Sequence, residues 1–212
     1  MIRRLTLTIM LAAAALQLSA QQLTATDVFK SAPARVLPLL TANTRLDMLD
    51  YFNSGLSTAS QNTLQGRSSI KALSDESVTI AMTEASTCQI ALLPAGQDRQ
   101  VIAVISTVAT PAPDSKLTLY SSDWTDNMTA RTFSRPALQD WLTAEGRRHK
   151  DEVEMSVPFL LVEYSLDPKT GLLTLSNNTH RFVSEEIYEM VEPYLMKSIQ
   201  YKWNGRRFES VK

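Results

Sequence analysis

Between Val101 and Val108 the chain is apolar at almost every position, with no polar alternation until Ser106 and Thr107. A strand with water on one side alternates, so an unbroken apolar run predicts a central strand covered on both faces. The flanking segments alternate as half-buried strands do. Val78, Ile80 and Met82 are interleaved with Thr79 and Ala81, and Cys88, Ile90 and Leu92 form the next apolar face. Leu117 and Leu119 continue the series beyond the Pro111-Ala112-Pro113 break. The short Pro94-Ala95-Gly96-Gln97 connection favours antiparallel neighbours, because helical crossovers need many more residues.

Helical signals lie on either side. Asn43 to Ser54 predicts a helix with Thr44 and Asp47 as a capping box, an apolar face of Leu46, Met48, Leu49 and Phe52, and Gly55 at its end. A short amphipathic arm around Val28 and Phe29 precedes it, punctuated by Pro33 and Pro38. Arg135 to Ala144 predicts a short helix with Pro136 in its first turn and Leu138, Trp141 and Leu142 on one face. Phe159 to Leu166 and Leu172 to Asn177 predict a hairpin around Asp167-Pro168-Lys169-Thr170-Gly171. From Ser184, the residues Ile187, Met190, Val191, Tyr194 and Leu195 fit one helical face, with Pro193 forcing a kink or two short helices. Asn204-Gly205 predicts a two-residue turn, pairing Trp203 with Arg206 and Tyr201 with Phe208. Ile199, Tyr201, Trp203 and Phe208 then share one buried face. The fold class expected is α+β: an antiparallel β-sheet, or two sheets in pseudo-duplicated halves, packed by a few helices. Residues 21–212 form one domain, or two halves of about 21–146 and 155–212 joined by the charged run Arg147 to Glu154.

Met1 to Ala20 reads as a secretory signal peptide. Arg3 and Arg4 make the positive start, Leu5 to Leu16 the apolar run, and Leu18-Ser19-Ala20 the cleavage site. The run is too short to cross about 30 Å of hydrocarbon. No second apolar stretch of spanning length follows, so an exported periplasmic or secreted protein is expected. Gln21 follows the cut where a lipoprotein would carry cysteine. Losing Arg3 and Arg4 moves the net charge from −1 to −3, and no basic stripe suits a nucleic-acid backbone. The single cysteine, Cys88, leaves stability to ordinary packing and is expected to be a buried, inert thiol.

Several motifs imitate catalytic machinery. Ser68-Ser69-Ile70-Lys71, Ser122-Asp123 and Lys169-Thr170-Gly171 follow the order of the penicillin-recognising enzymes. The first segment nonetheless reads as strand, Trp124 replaces the required asparagine, and the last sits in a turn. His149 and His180 lie in polar segments with nothing nearby to suggest a buried orienting carboxylate. His149, Asp151, Glu152 and Glu154 read as a solvated charged segment, because Arg147, Arg148 and Lys150 oppose a metal. Asp47 and Asp50 are three apart on the first helix and are the candidate acidic pair for acid–base chemistry. Tyr120 to Asn127 is the preferred ligand-binding segment. Tyr120 and Trp124 could present an aromatic platform to a sugar ring, with Asp123 and Asn127 bonding its hydroxyls; the competing reading folds Trp124 back onto the sheet edge.

The segments Arg45-Leu46-Asp47-Met48-Leu49-Asp50-Tyr51 and Pro111 to Tyr120, with the Trp203-Asn204-Gly205 ending, carry a family likeness. Over most of the mature chain it resembles a domain-of-unknown-function family of exported proteins from Bacteroidetes bacteria. The resemblance implies export and an α+β fold, and it implies no catalytic residue. The function expected is a non-catalytic binding or protein-interaction module of the cell envelope, with an envelope protein or a glycan as partner and neither cofactor nor metal. The alternatives are a carboxylate-using hydrolase of cell-wall or glycan material and a carrier of an apolar ligand between sheet and helices.

Overall fold

The computed structural model describes residues 22–56, 58–96 and 99–211; the signal peptide read at Met1 to Ala20 lies outside them. The uninterrupted apolar run belongs to strand β5 (Gln100–Val108). Its neighbours complete a six-stranded antiparallel meander in chain order. These are β1 (Ser60–Gln61), β2 (Arg67–Leu73), β3 (Ser77–Thr83), β4 (Ser86–Pro94) and β6 (Asp114–Ser121). Ile102 and Val104 join one buried cluster, while Val101, Ala103 and Ile105 join another on the opposite face. Both faces of β5 are therefore covered, as the missing alternation requires.

Helices α1 (Ala25–Ser31) and α2 (Ala42–Asn53) cover the first face. Thr24 and Asp27 form a capping box on α1, whose Val28 and Phe29 are buried. Helix α2 is capped by Thr41, whose hydroxyl accepts from the Thr44 backbone N–H at 3.1 Å. This corrects the expected Thr44–Asp47 box: Thr44 is itself the third residue of the helix. Leu46 is also misassigned to the apolar face, being 46% exposed, whereas Met48 and Leu49 are buried. Gly55, at φ +69°, ends α2 as expected. Its N–H bonds the Phe52 carbonyl and that of Leu56 bonds Tyr51, satisfying carbonyls the helix leaves over. Arg45 is buried and donates to the Ala32 carbonyl just past α1, tying the two helices together.

The second face carries another antiparallel sheet: β7 (Val162–Asp167), β8 (Leu172–Asn177), β9 (Ser198–Trp203) and β10 (Phe208–Ser210) in the order β10-β9-β8-β7. Leu117 and Leu119 of the first sheet share a core cluster with Leu173, Leu175, Trp203 and Phe208 of the second. The sheets meet through side chains. The Val162 and Tyr164 N–H groups on β7 donate to Asp114 Oδ1 at 2.9 Å and Ser115 Oγ at 3.0 Å on β6. Two donors on the β7 edge are thus satisfied by β6 side chains without a shared ladder.

Around this core lie α3 (Thr129–Thr132), α4 (Lys150–Ser156) and α5 (Glu185–Val191). The helix expected over Arg135 to Ala144 is only a 3-10 turn, Leu138–Trp141, though Trp141 and Leu142 are buried as read. Lys150 to Glu154 of the charged run lie in α4, where Val153 is fully buried and fixes the helix to the core while the charged residues face solvent. Helix α5 passes at Pro193 into a 3-10 turn, giving the two short pieces foreseen. Met190 proves 44% exposed.

The last hairpin pairs Trp203 with Phe208 and Tyr201 with Ser210. The expected register is out by two residues. Asn204 Oδ1 accepts from the Arg206 and Arg207 N–H groups, both at 2.9 Å, and holds a four-residue loop. A shift of two preserves side-chain parity, so Trp203 and Phe208 still face the core.

Candidate functional site

The expected ligand segment is a loop braced from within. Asp123 Oδ1 accepts from the Ser121 hydroxyl at 2.5 Å, the Thr125 hydroxyl at 2.7 Å and the Thr125 N–H at 3.1 Å. Those bonds, the Ser121 hydroxyl first, hold its carboxyl down at about 2 although it is solvent-exposed. Asn127 Oδ1 accepts from the Thr129 N–H at 3.0 Å and its hydroxyl at 2.7 Å, starting α3. Asp123 Oδ1 and Asn127 Oδ1 are therefore engaged in shaping the loop.

Trp124 is 5% exposed and belongs to the cluster beneath α1 and α2. Its indole N–H donates to Ser31 Oγ at 3.3 Å, its carbonyl accepts from Arg35, and its ring lies 5.4 Å from that of Tyr120. Tyr120 is half-buried with the Arg35 guanidinium 5.9 Å from its ring centroid. The indole is thus a peg into the core, not an exposed platform. It holds this place from a left-handed backbone, φ +65°.

Behind this loop opens a cleft of about 770 Å³, at the end of the molecule where three tips meet. One is the turn between β4 and β5, the second runs from Ser121 to Arg131, and the third is the β9–β10 loop. Arg99, Arg131 and Arg206 line it together with Ser122 and Asn204, and Trp203 forms part of its floor. The Trp203 indole N–H donates to the Pro94 carbonyl at 2.6 Å, locking the second sheet to the β4–β5 turn. Arg131 pairs with Asp126. Among the described residues no carboxylate lies at ion-pair distance from Arg99 or Arg206. Guanidinium groups present planar, paired donors that match carboxylate, sulfate and phosphate oxygens. Of the preferred segment, Ser121 and Ser122 reach this cleft. The arginines come from three separated stretches that sequence reading did not connect; Arg99 and Arg206 lie in hairpin connections and Arg131 in the short helix α3.

The remaining candidates do not converge. Asp47 and Asp50 are exposed on α2. Ser68 is buried and donates to the Met82 carbonyl at 2.7 Å, whereas Lys71 is exposed at the register irregularity between Ile70 and Ala72 on β2. Lys169-Thr170-Gly171 closes the β7–β8 turn around Asp167, with Gly171 at φ +66°. His149 stacks on Tyr194 at 4.5 Å and lies 3.5 Å from Glu145 and 3.1 Å from Glu152, while Lys150 pairs with Glu154. Among the described residues no three His, Cys, Asp or Glu side chains are placed to share a metal ion. Cys88 is buried, which pushes its thiol up to about 12.

No helix among the described residues is long and apolar enough to cross a membrane. The fold is similar to a solved structure of a domain of an uncharacterized protein from Porphyromonas gingivalis W83. The TM-score is 0.77 at 20% identity, over 88% of this chain and 96% of that one. No curated protein matches the chain in sequence. A family described as proteins of unknown function, DUF3256, matches residues 15–208, and the chain belongs to it.

Proposed function

We propose that the protein is an exported, non-catalytic binding module of the bacterial cell envelope, and that it engages its ligand in the cleft between the three tips. The observation that carries the reading is the arginine-lined cavity mounted on two sheets that the Trp203–Pro94 bond holds in register. Loops on a rigid scaffold are the usual place for recognition, since they can vary while the frame keeps them positioned. Export is supported by the charged start, short apolar run and small-residue cut of Met1 to Ala20. Tyr120, Asp123, Trp124 and Asn127 serve this site as the brace that sets one wall.

Native mass spectrometry on protein isolated from its own host's envelope fraction tests the proposal. A bound small molecule or stoichiometric partner is expected, and Ser122→Trp, which fills the cleft from an exposed position, releases it without altering the melting temperature. Retention of the same ligand by the Ser122→Trp variant would place binding elsewhere.

A further inference from the structure

We infer that the cleft takes a small ligand carrying at least two carboxylate, sulfate or phosphate groups, an inference that rests on the binding reading above. Three arginines line one cavity; among the described residues Asp126 pairs with Arg131 and no carboxylate lies at ion-pair distance from Arg99 or Arg206. Like charges around a concavity repel one another and raise the local potential, which a bound anion relieves. The chain as a whole carries a net charge of −1, so this concentration of positive charge is local and not the by-product of a basic surface.

The requirement for two anionic groups follows from the arrangement. Arg99 stands on the β4–β5 turn, closed by its N–H to the Gly96 carbonyl at 3.0 Å and by the Ala95 N–H to its own carbonyl at 2.8 Å. Arg206 stands on the opposite hairpin, fixed through Asn204. A single oxyanion at one tip leaves the other guanidinium uncompensated, whereas a ligand with two groups spans both. A third group would compete with Asp126 for Arg131. The volume, about 770 Å³, suits a small molecule. Among the described residues neither the Ser122 hydroxyl nor the Asn204 amide nitrogen has a hydrogen-bond partner, so both stand ready for hydroxyl or carbonyl groups between the charges. The Trp203–Pro94 bond fixes the β9–β10 hairpin against the end of β4, which limits the ordering needed there on binding.

Isothermal titration of the protein with citrate, pyrophosphate, a sulfated uronate disaccharide and a neutral disaccharide tests the inference. At least one anionic probe is expected to bind one to one, and which one identifies the preferred anion. Affinity should fall as salt rises. Arg99→Gln and Arg206→Gln should each weaken binding roughly tenfold, with melting temperatures unchanged, and Lys71→Gln, exposed on β2 and outside the cleft, should have no effect. Binding of the neutral sugar at the cleft, displaced by Ser122→Trp yet indifferent to Arg99→Gln and Arg206→Gln, overturns the anion inference and leaves the binding reading standing. Failure of every probe, together with no adduct in native mass spectrometry, overturns both.

Discussion

Replacing Trp124 with alanine separates a core peg from a surface platform. A buried indole removes about 150–250 Å² from water, so at roughly 25 cal/mol per Å² complete loss is bounded near 4–6 kcal/mol. Trp124 is 5% exposed but sits in a loop whose neighbours can close inward, which places the expected cost at about 3 kcal/mol. The Ser31 hydroxyl that accepts from the indole is on an exposed residue, so water replaces that bond without further penalty. For a chain of this size the loss corresponds to a melting temperature lower by roughly 6–12 °C. The left-handed backbone supplies an internal control. At φ +65° a side chain costs about 1 kcal/mol that glycine does not incur. Trp124→Gly should therefore be about 1 kcal/mol more stable than Trp124→Ala, reversing the usual order. Thermal and urea melts of the three proteins measure both quantities. A Trp124→Ala variant that melts with the parent would remove the indole from the core, and a glycine variant weaker than the alanine variant would refute the backbone argument.

Other consequences are equally direct. Gly146→Ala would place a Cβ 2.2 Å from the Tyr194 carbonyl oxygen, a backbone clash, and should cost about 3 kcal/mol or more in urea melts. The Cys88 thiol, pushed up to about 12 by burial from 9.0, should resist a thiol reagent at pH 8 until the protein is unfolded. Its linkage to folding leaves stability untouched below pH 9 and lowers it as pH rises from there towards 12. Asp123 has the opposite sign. Its carboxyl is held at about 2 against 3.8, so its contribution is present above pH 3.8 and is lost as pH falls towards 2. NMR titration of its side-chain carboxyl checks the midpoint, and Asp123→Asn should flatten that part of the acid limb.

The fold was readable where one local signal had no competitor. The unalternating stretch at Val101 to Ile105 demanded cover on both faces and received helices on one and a sheet on the other. Signals that compete locally were misplaced. Thr41 and Thr44 both offer a capping hydroxyl, and Asp47 three residues beyond Thr44 favoured the wrong one. Asn204-Gly205 implied a two-residue turn, but the Asn204 side chain captures two N–H groups and lengthens it. The buried face survived because a displacement of two leaves parity intact. The cleft was less legible. Composition ruled out a basic stripe along the chain, yet Arg99, Arg131 and Arg206 meet only after two sheets have packed. Within Tyr120 to Asn127 the polar composition was visible, while its inward use by Asp123 and Asn127 depends on loop geometry that no spacing reveals.

The most direct test of the cleft as the ligand-binding surface is an amide NMR titration of the isotopically labelled protein with its host's soluble envelope extract. Shift changes should gather on Ala95, Gly96, Arg99, Ser122, Arg131, Asn204 and Arg206, and should disappear in Ser122→Trp. Changes confined to the exposed face of α2 around Asp47 and Asp50, or spectra indifferent to the extract, would contradict the account.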